Sequence, residues 1–313
     1  MPVLYPLDMV VAFPGDEDLL LQPACRGRIL KPDAGTARGT LVAFHGYSAG
    51  PWQFDELADA MCARGWNVVL PRLAGHGFAT VTGEEDPGDL PKAHEAHRYR
   101  EEGDKALALA RTLDAPLVLC GLSAGGALAL DLAIRHRDIA RACVMAPLLL
   151  PAPWRARVAM GMLQAVDGPA GGSLGRWLDR QPFAWGKTPP RHEDGWVRPG
   201  HWRFRAGNLA GILGFVAGIL PEAGRLTLPL QVLSTSLDDL ADPKGCRILW
   251  ERQRGTSGGW LHFPASAAVP HGMVSPRQHP DAQSRRLVTD ATLKFLDTGT
   301  ATHVPPEGGR VRG

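Results

Sequence analysis

Residues 116–134 read PLVLCGLSAGGALALDLAI, and the fold turns on how this stretch is divided. Pro116 to Cys120 is fully apolar and short, the pattern of a strand covered on both faces of a parallel sheet. From Ala124 to His136 the residues are small and aliphatic, which predicts a helix. Between the two lies Gly121-Leu122-Ser123-Ala124-Gly125, a G-x-S-x-G. A serine held at a strand-to-helix turn needs a strained backbone, and flanking glycines remove the side chains that would collide there. Ser123 then stands exposed above the sheet at a helix N-terminus, where a nucleophile is presented. With 37 glycines in the chain the bare pattern arises easily by chance. The strand before it and the helix after it make it specific.

Outward from this turn, short β-rich runs alternate with helical patterns. Strands are predicted at Thr40 to Phe44, Asn67 to Leu70, Arg141 to Ala146, Leu228 to Ser234 and Trp260 to Phe263. Helices are predicted at Trp52 to Arg64, Arg98 to Leu113, Pro243 to Arg252 and Pro280 to Leu296. This alternation builds an α/β fold with a mostly parallel sheet and helices on both faces. After Pro147 the pattern breaks into a stretch rich in Trp, Gly, Pro and Arg, with amphipathic helical segments at 154–166 and 203–220. The expected division is a core of residues 1–147 and 226–297, an inserted cap at 148–225, and a disordered tail at 298–313 without apolar periodicity.

The 313 residues carry a net charge of +2, from 34 basic and 32 acidic side chains, so no strong field gathers nucleic acid or an anionic membrane. Five cysteines, an odd and widely spaced set, read as free thiols. The N-terminus lacks a basic, then apolar, leader, and no run of 18 uncharged apolar residues occurs. A soluble cytoplasmic protein without stable membrane insertion is the expectation.

A serine hydroxyl needs a base, usually a histidine oriented by a carboxylate. When the nucleophile sits on a strand-to-helix elbow, the acid and then the base follow it along the chain. Of eleven histidines, His271, in a loop after the Trp260 to Phe263 strand, is the candidate base. His262 lies within a strand, His279 beside Pro280 at a helix start, and His303 in the tail. After Leu228 to Ser234, the loop Leu237-Asp238-Asp239-Leu240-Ala241-Asp242-Pro243 offers three carboxylates. Asp238 is the candidate acid; Asp239 is its rival, or else a solvated turn residue. Asp242 before Pro243 reads as a helix N-cap. Two backbone amides suffice for an oxyanion hole worth about 3 kcal/mol per donor. The candidates are Ala124, next after the serine, and Tyr47, in His45-Gly46-Tyr47-Ser48-Ala49-Gly50 after the first central strand. The Tyr47 phenol either lines the pocket or packs.

HGYSAG at 45–50, PRLAGHG at 71–77, GLSAGG at 121–126, the Asp238 loop and PHGM at 270–273 together resemble the α/β-hydrolase superfamily. More narrowly they resemble its carboxylesterase, monoacylglycerol lipase and serine aminopeptidase-like branch. The resemblance covers about residues 38–146 and 226–297 and leaves the cap out. It implies Ser123 as nucleophile, His271 as base, Asp238 as acid, and Tyr47 and Ala124 as amide donors. His76 matches the family's G-H-G turn and, like His45, reads as structural. The acid loop departs from the family in having Thr235-Ser236-Leu237 where a Gly commonly precedes the Asp.

His94-Glu95-Ala96-His97 is not a zinc-binding H-E-x-x-H and has no third ligand in view, so a solvated helix start accounts for it. Neither GxGxxG nor GxxxxGK occurs, so no cofactor is implied. The expected partner is a small-molecule ester, with Asn208 to Leu220 and Trp154, Trp177, Trp185, Trp196 and Trp202 either covering an apolar acyl pocket or packing the cap. A thioesterase, a monoacylglycerol lipase, a peptidase with Glu193 and Asp194 as its acidic subsite, and a non-catalytic ligand-binding homologue are the alternatives.

Overall fold

The computed structural model describes residues 10–32, 35–79, 89–152, 177, 180–184, 198–255 and 257–304. In chain order the strands are β1 (Val10–Ala12), β2 (Arg28–Leu30), β3 (Thr40–Phe44), β4 (Asn67–Leu70), β5 (Leu117–Leu122), β6 (Ile139–Met145), β7 (Pro182–Ala184), β8 (Arg203–Arg205), β9 (Leu230–Thr235) and β10 (Gly258–Phe263). The helices are α1 (Asp55–Cys62), α2 (His97–Ala110), α3 (Ala124–Arg135), α4 (Ala206–Ala217), α5 (Ile219–Glu222), α6 (Pro243–Arg252) and α7 (Ala282–Thr298).

Eight strands form one sheet in the order β1-β2-β4-β3-β5-β6-β9-β10. From β4 to β10 every pairing is parallel, and only the β1–β2–β4 edge is antiparallel. β1 and β2 were not foreseen: each is three residues long, too short to show a period of two. β5 is buried along its whole length because its side chains feed both layers. Leu117 and Leu119 join the core beneath α2, α3 and α6, while Val118, Cys120 and Leu122 join the core beneath α1 and α7. That two-sided burial is why the run PLVLC has no polar alternation.

In the cap, β7 and β8 pair antiparallel and lead into α4. Of the two readings of the apolar stretch 208–220, packing is the one observed: Ile212, Leu213, Phe215 and Val216 lie in the same cluster as α3, and Tyr99 lies 5.6 Å from Phe215. By length and composition the helical stretch Ala206–Arg225 is able to cross a membrane, yet 61% of its most apolar window is buried inside the fold. The helical segment expected at 154–166, together with Trp154, Trp185, Trp196, Glu193 and Asp194, lies outside the described residues. Trp177 is exposed, and Trp202 is half-buried with the Arg203 guanidinium stacked 4.2 Å from its ring centre.

Of the expected tail only residues 298–304 are described, and their path is ordered. Beyond α7 the chain runs beside β10, where Val304 N donates to Trp260 O at 2.7 Å and His262 N donates to Val304 O at 2.8 Å. Gln231 holds it from the neighbouring strand, donating to Thr302 O at 2.8 Å and accepting from Thr302 N at 2.8 Å. A free β10 edge takes backbone partners irrespective of side chains, so apolar periodicity was the wrong signal for this segment.

Candidate active site

β5 ends at Leu122 and α3 begins at Ala124, leaving Ser123 alone in the turn with φ 56° and ψ −119°. A non-glycine residue costs about 1–3 kcal/mol in such a conformation and persists only when its surroundings impose it. The surroundings here are explicit. Ser123 N donates to Met145 O at 2.9 Å, and Ser123 O accepts from Ala127 N at 3.1 Å and Leu148 N at 2.9 Å. A side chain on Gly121 would run into the Gly125 carbonyl, and one on Gly125 into the carbonyls of Phe44 and His45. Both glycines of the motif are therefore required by close backbone approach.

Asp238 lies in the loop after β9, three residues beyond Thr235, and His271 in the loop after β10. His271 Nδ1 lies 2.8 Å and 2.9 Å from the two Asp238 carboxylate oxygens. The Asp238 side chain is 2% exposed and that of His271 13%. Asp238 Oδ1 also accepts the amides of Leu240, at 3.0 Å, and Ala241, at 2.7 Å, so the carboxylate is aimed by its own turn. Asp239 is exposed, and Asp242 caps α6 by accepting from Lys244 N at 3.0 Å. Thr235 ties the acid and base loops together, donating through Oγ1 to Val269 O at 2.7 Å. β5 and β9 are separated by β6 alone, two strand spacings or roughly 10 Å. His271 reaches Asp238 through Nδ1, which leaves Nε2 as the ring nitrogen on the other side.

The loop after β3 sits beside the serine, since a side chain on Gly46 would lie 3.4 Å from Ser123 Cβ. Neither the Tyr47 amide nor the Ala124 amide has a hydrogen-bond partner among the described residues. The Tyr47 phenol packs, edge-on to His76 at 5.3 Å and to Phe204 of the cap at 5.4 Å. Burial drives its pKa up, and its oxygen has no partner among the described residues.

His45 and His76 are buried and bonded to backbone, as expected of structural histidines. His45 accepts from Leu73 N at 3.0 Å and donates to Gly46 O at 2.8 Å; His76 accepts from Ser48 N at 3.0 Å and donates to Ala74 O at 3.0 Å. Desolvation lowers the pKa of both, that of His45 to about 3. His201 was not foreseen. Its Nε2 accepts from Gly77 N at 3.0 Å, and its own amide donates to Ser48 O at 3.0 Å, so the cap grips this loop from outside. Nothing local in HWRFR marks it, because its partners lie more than a hundred residues away. His279 is buried at the start of α7, with its ring between Met273 O at 2.6 Å and Ser284 Oγ at 2.6 Å. His262 sits between Ser234 Oγ at 2.8 Å and Ser236 Oγ at 2.9 Å. Among the described residues no group of three metal-ligating side chains occurs.

A cleft of about 500 Å³ is lined by Asp16, Arg72, Asp89, Arg98, Glu102 and Lys105 among others, and by none of Ser123, Asp238 or His271.

The family model described as serine aminopeptidase, S33, matches residues 35–260. Over 139 residues the chain is 35% identical to the thermostable monoacylglycerol lipase of Bacillus sp. (strain H-257), covering 44% of this chain and 48% of that enzyme. It thus spans about half the length of that relative. It is 25% identical over 275 residues to the magnesium-chelatase 30 kDa subunit of Rhodobacter capsulatus, or 87% of this chain and 84% of that one. The solved structure of the Paleococcus ferrophilus monoacylglycerol lipase superposes with a TM-score of 0.65 at 18% identity, over 87% of this chain and 98% of that one, a likeness of fold alone. Since the matched span takes in the elbow serine and most of the parallel sheet, the chain belongs to the serine aminopeptidase S33 family of α/β-hydrolases.

Proposed function

We propose that this protein is a serine esterase that hydrolyses small carboxylic esters with an apolar acyl group. Ser123 Oγ attacks the ester carbonyl while His271 takes its proton. Asp238 keeps the imidazole in the tautomer with its free nitrogen toward the serine and stabilises the imidazolium that forms. The amides of Tyr47 and Ala124 donate to the oxyanion of the tetrahedral intermediate. His271 then protonates the departing alcohol, leaving an acyl-serine, and activates the water that releases the acid. No cofactor takes part.

The observation that carries this proposal is the Asp238–His271 contact at 2.8 Å, at the same carboxyl edge of the sheet as the strained Ser123. Similarity to a monoacylglycerol lipase supports esters as substrates. All five cysteines are free and buried, which supports a reducing, cytoplasmic setting. Two other readings remain: a peptidase acting on N-terminal residues, which the family description favours, and a homologue that binds a ligand without turnover.

Hydrolysis of p-nitrophenyl esters from acetate to palmitate, beside aminoacyl p-nitroanilides, separates the three. Turnover of the esters that falls on the order of a millionfold in Ser123→Ala is the expected result. Cleavage of the anilides alone favours the peptidase, and no cleavage of either class by wild type favours the binding protein.

A further inference from the structure

The loop beside Ser123 offers three consecutive amides, and their fates differ. Gly46 N donates to Gln53 Oε1 at 2.7 Å, and Ser48 N to His76 Nε2 at 3.0 Å. Between them the Tyr47 amide has no partner among the described residues. The other end of its peptide is held: Gly46 O accepts from His45 Nδ1 at 2.8 Å and from Ala49 N at 3.3 Å. In a trans peptide N–H and C=O point in opposite directions. Gripping that carbonyl therefore turns the Tyr47 N–H the other way.

Both outer acceptors are buried and each is fixed at its far end. Gln53 is 4% exposed, and its Nε2 donates to Gln278 Oε1 at 2.6 Å. Gln278 belongs to the loop that carries His271, and its Cβ lies so close to Gly272 that no side chain fits there. His76 is fully buried and its Nδ1 donates to Ala74 O at 3.0 Å. The donors leave no freedom in the assignment. A backbone N–H must meet an acceptor, so the carboxamide oxygen of Gln53 and the unprotonated nitrogen of His76 face the loop.

We propose that Gln53 and His76 are positioning residues for acyl transfer. They take the amides on either side of Tyr47, holding the Tyr47 N–H as the free donor among these three loop amides, and Gln53 couples this loop through Gln278 to the loop of His271. Neither side chain touches the reacting atoms. The proposal rests on the esterase reading for the role of Tyr47. Ser48, held at φ 60°, explains the need for two clamps: without them the loop relaxes out of that left-handed conformation and the Tyr47 amide swings with it.

The test uses the full chain and p-nitrophenyl butyrate, with kcat expressed per mole of folded protein. Gln53→Met keeps length and loses the acceptor; His76→Leu does likewise, and His76→Gln restores an acceptor at about the position of Nε2. Gln53→Met and His76→Leu are expected to lower kcat by about 10- to 100-fold, within the range of a weakened oxyanion donor, with KM within about twofold, and His76→Gln to recover at least half of that loss in logarithmic terms. A trifluoromethyl ketone, which forms the tetrahedral adduct, should lose affinity by the same factor as kcat. If the folded Gln53→Met protein keeps wild-type kcat, the inference is overturned, whether or not His76→Leu folds. Wild type and Ser123→Ala run beside them: absent ester turnover in wild type sinks the esterase reading itself, a separate result.

Discussion

At the residue scale the acid loop is the informative case. Asp238 and Asp239 are chemically identical neighbours, yet one side chain is 2% exposed against His271 and the other lies in solvent. Two amides of the turn, from Leu240 and Ala241, point the Asp238 carboxylate, and the missing glycine before it is compensated by Thr235, whose hydroxyl accepts from Leu237 N at 3.1 Å. Asp238→Asn is expected to cut kcat on p-nitrophenyl esters by about 10⁴-fold, because an amide that donates to Nδ1 favours the wrong imidazole tautomer. Asp239→Asn should stay within about twofold. Steady-state kinetics of the two variants decides, and equal losses would remove Asp238 from its proposed role.

At the element scale, α4 shows how one helix obeys different rules on its two faces. Gly211 faces the chain before α2, where an added Cβ would run into the Pro91 carbonyl; Gly214 is exposed and an added Cβ would meet nothing within 4 Å. Gly214→Ala is expected to stabilise the protein by about 0.5–1 kcal/mol, the helix-interior cost of glycine. Gly211→Ala is expected to destabilise it by about 1–3 kcal/mol through overpacking against backbone. Urea midpoints measured side by side check both signs. The sequence NLAGILGFVAGIL shows the apolar character of this helix but not what it covers. Packing against Tyr99 and α3 is a tertiary outcome, since Asn208 reaches Leu90 O, at 2.6 Å, across 118 positions of chain.

At the scale of the whole molecule, buried histidines join parts that are far apart in sequence. His45 and His76 lie within the core, and His201 brings the cap onto the same loop, its ring 5.9 Å from that of His76. Tyr47, Arg72 and the neighbouring imidazoles face the His45 and His76 rings, and desolvation lowers the pKa of these two. Their folded pKa values lie below the unfolded value of 6.5, so the unfolded chain binds more protons as pH falls. Their contribution to stability is therefore full above about pH 6.5 and is lost as pH falls from there toward 3, at up to about 1.4 kcal/mol per pH unit for each ring. His262 and His279 are shifted in the same direction by burial. Urea unfolding at pH 7 and pH 5 should show the loss, and His76→Gln should flatten the dependence by about one proton. An unchanged slope would mean that His76 is already protonated in the fold.

Much of the fold and of the candidate site was legible in local sequence because its causes are local. β5 is buried on both faces and so reads as an unbroken apolar run; the Ser123 turn needs Gly121 and Gly125 against backbone; Asp242 and Pro243 begin α6 by their own chemistry. What only the tertiary structure decided depends on partners distant along the chain. That Asp238 rather than Asp239 meets His271 follows from where the β10 loop delivers His271, and the ordered path of Thr302 to Val304 follows from the sheet edge at β10. The clamps on the Tyr47 peptide come from Gln53, His76 and, through Ser48, His201. Backbone amides and edges accept any sequence that supplies a partner, and for that reason these contacts leave no periodic trace in the residues that make them.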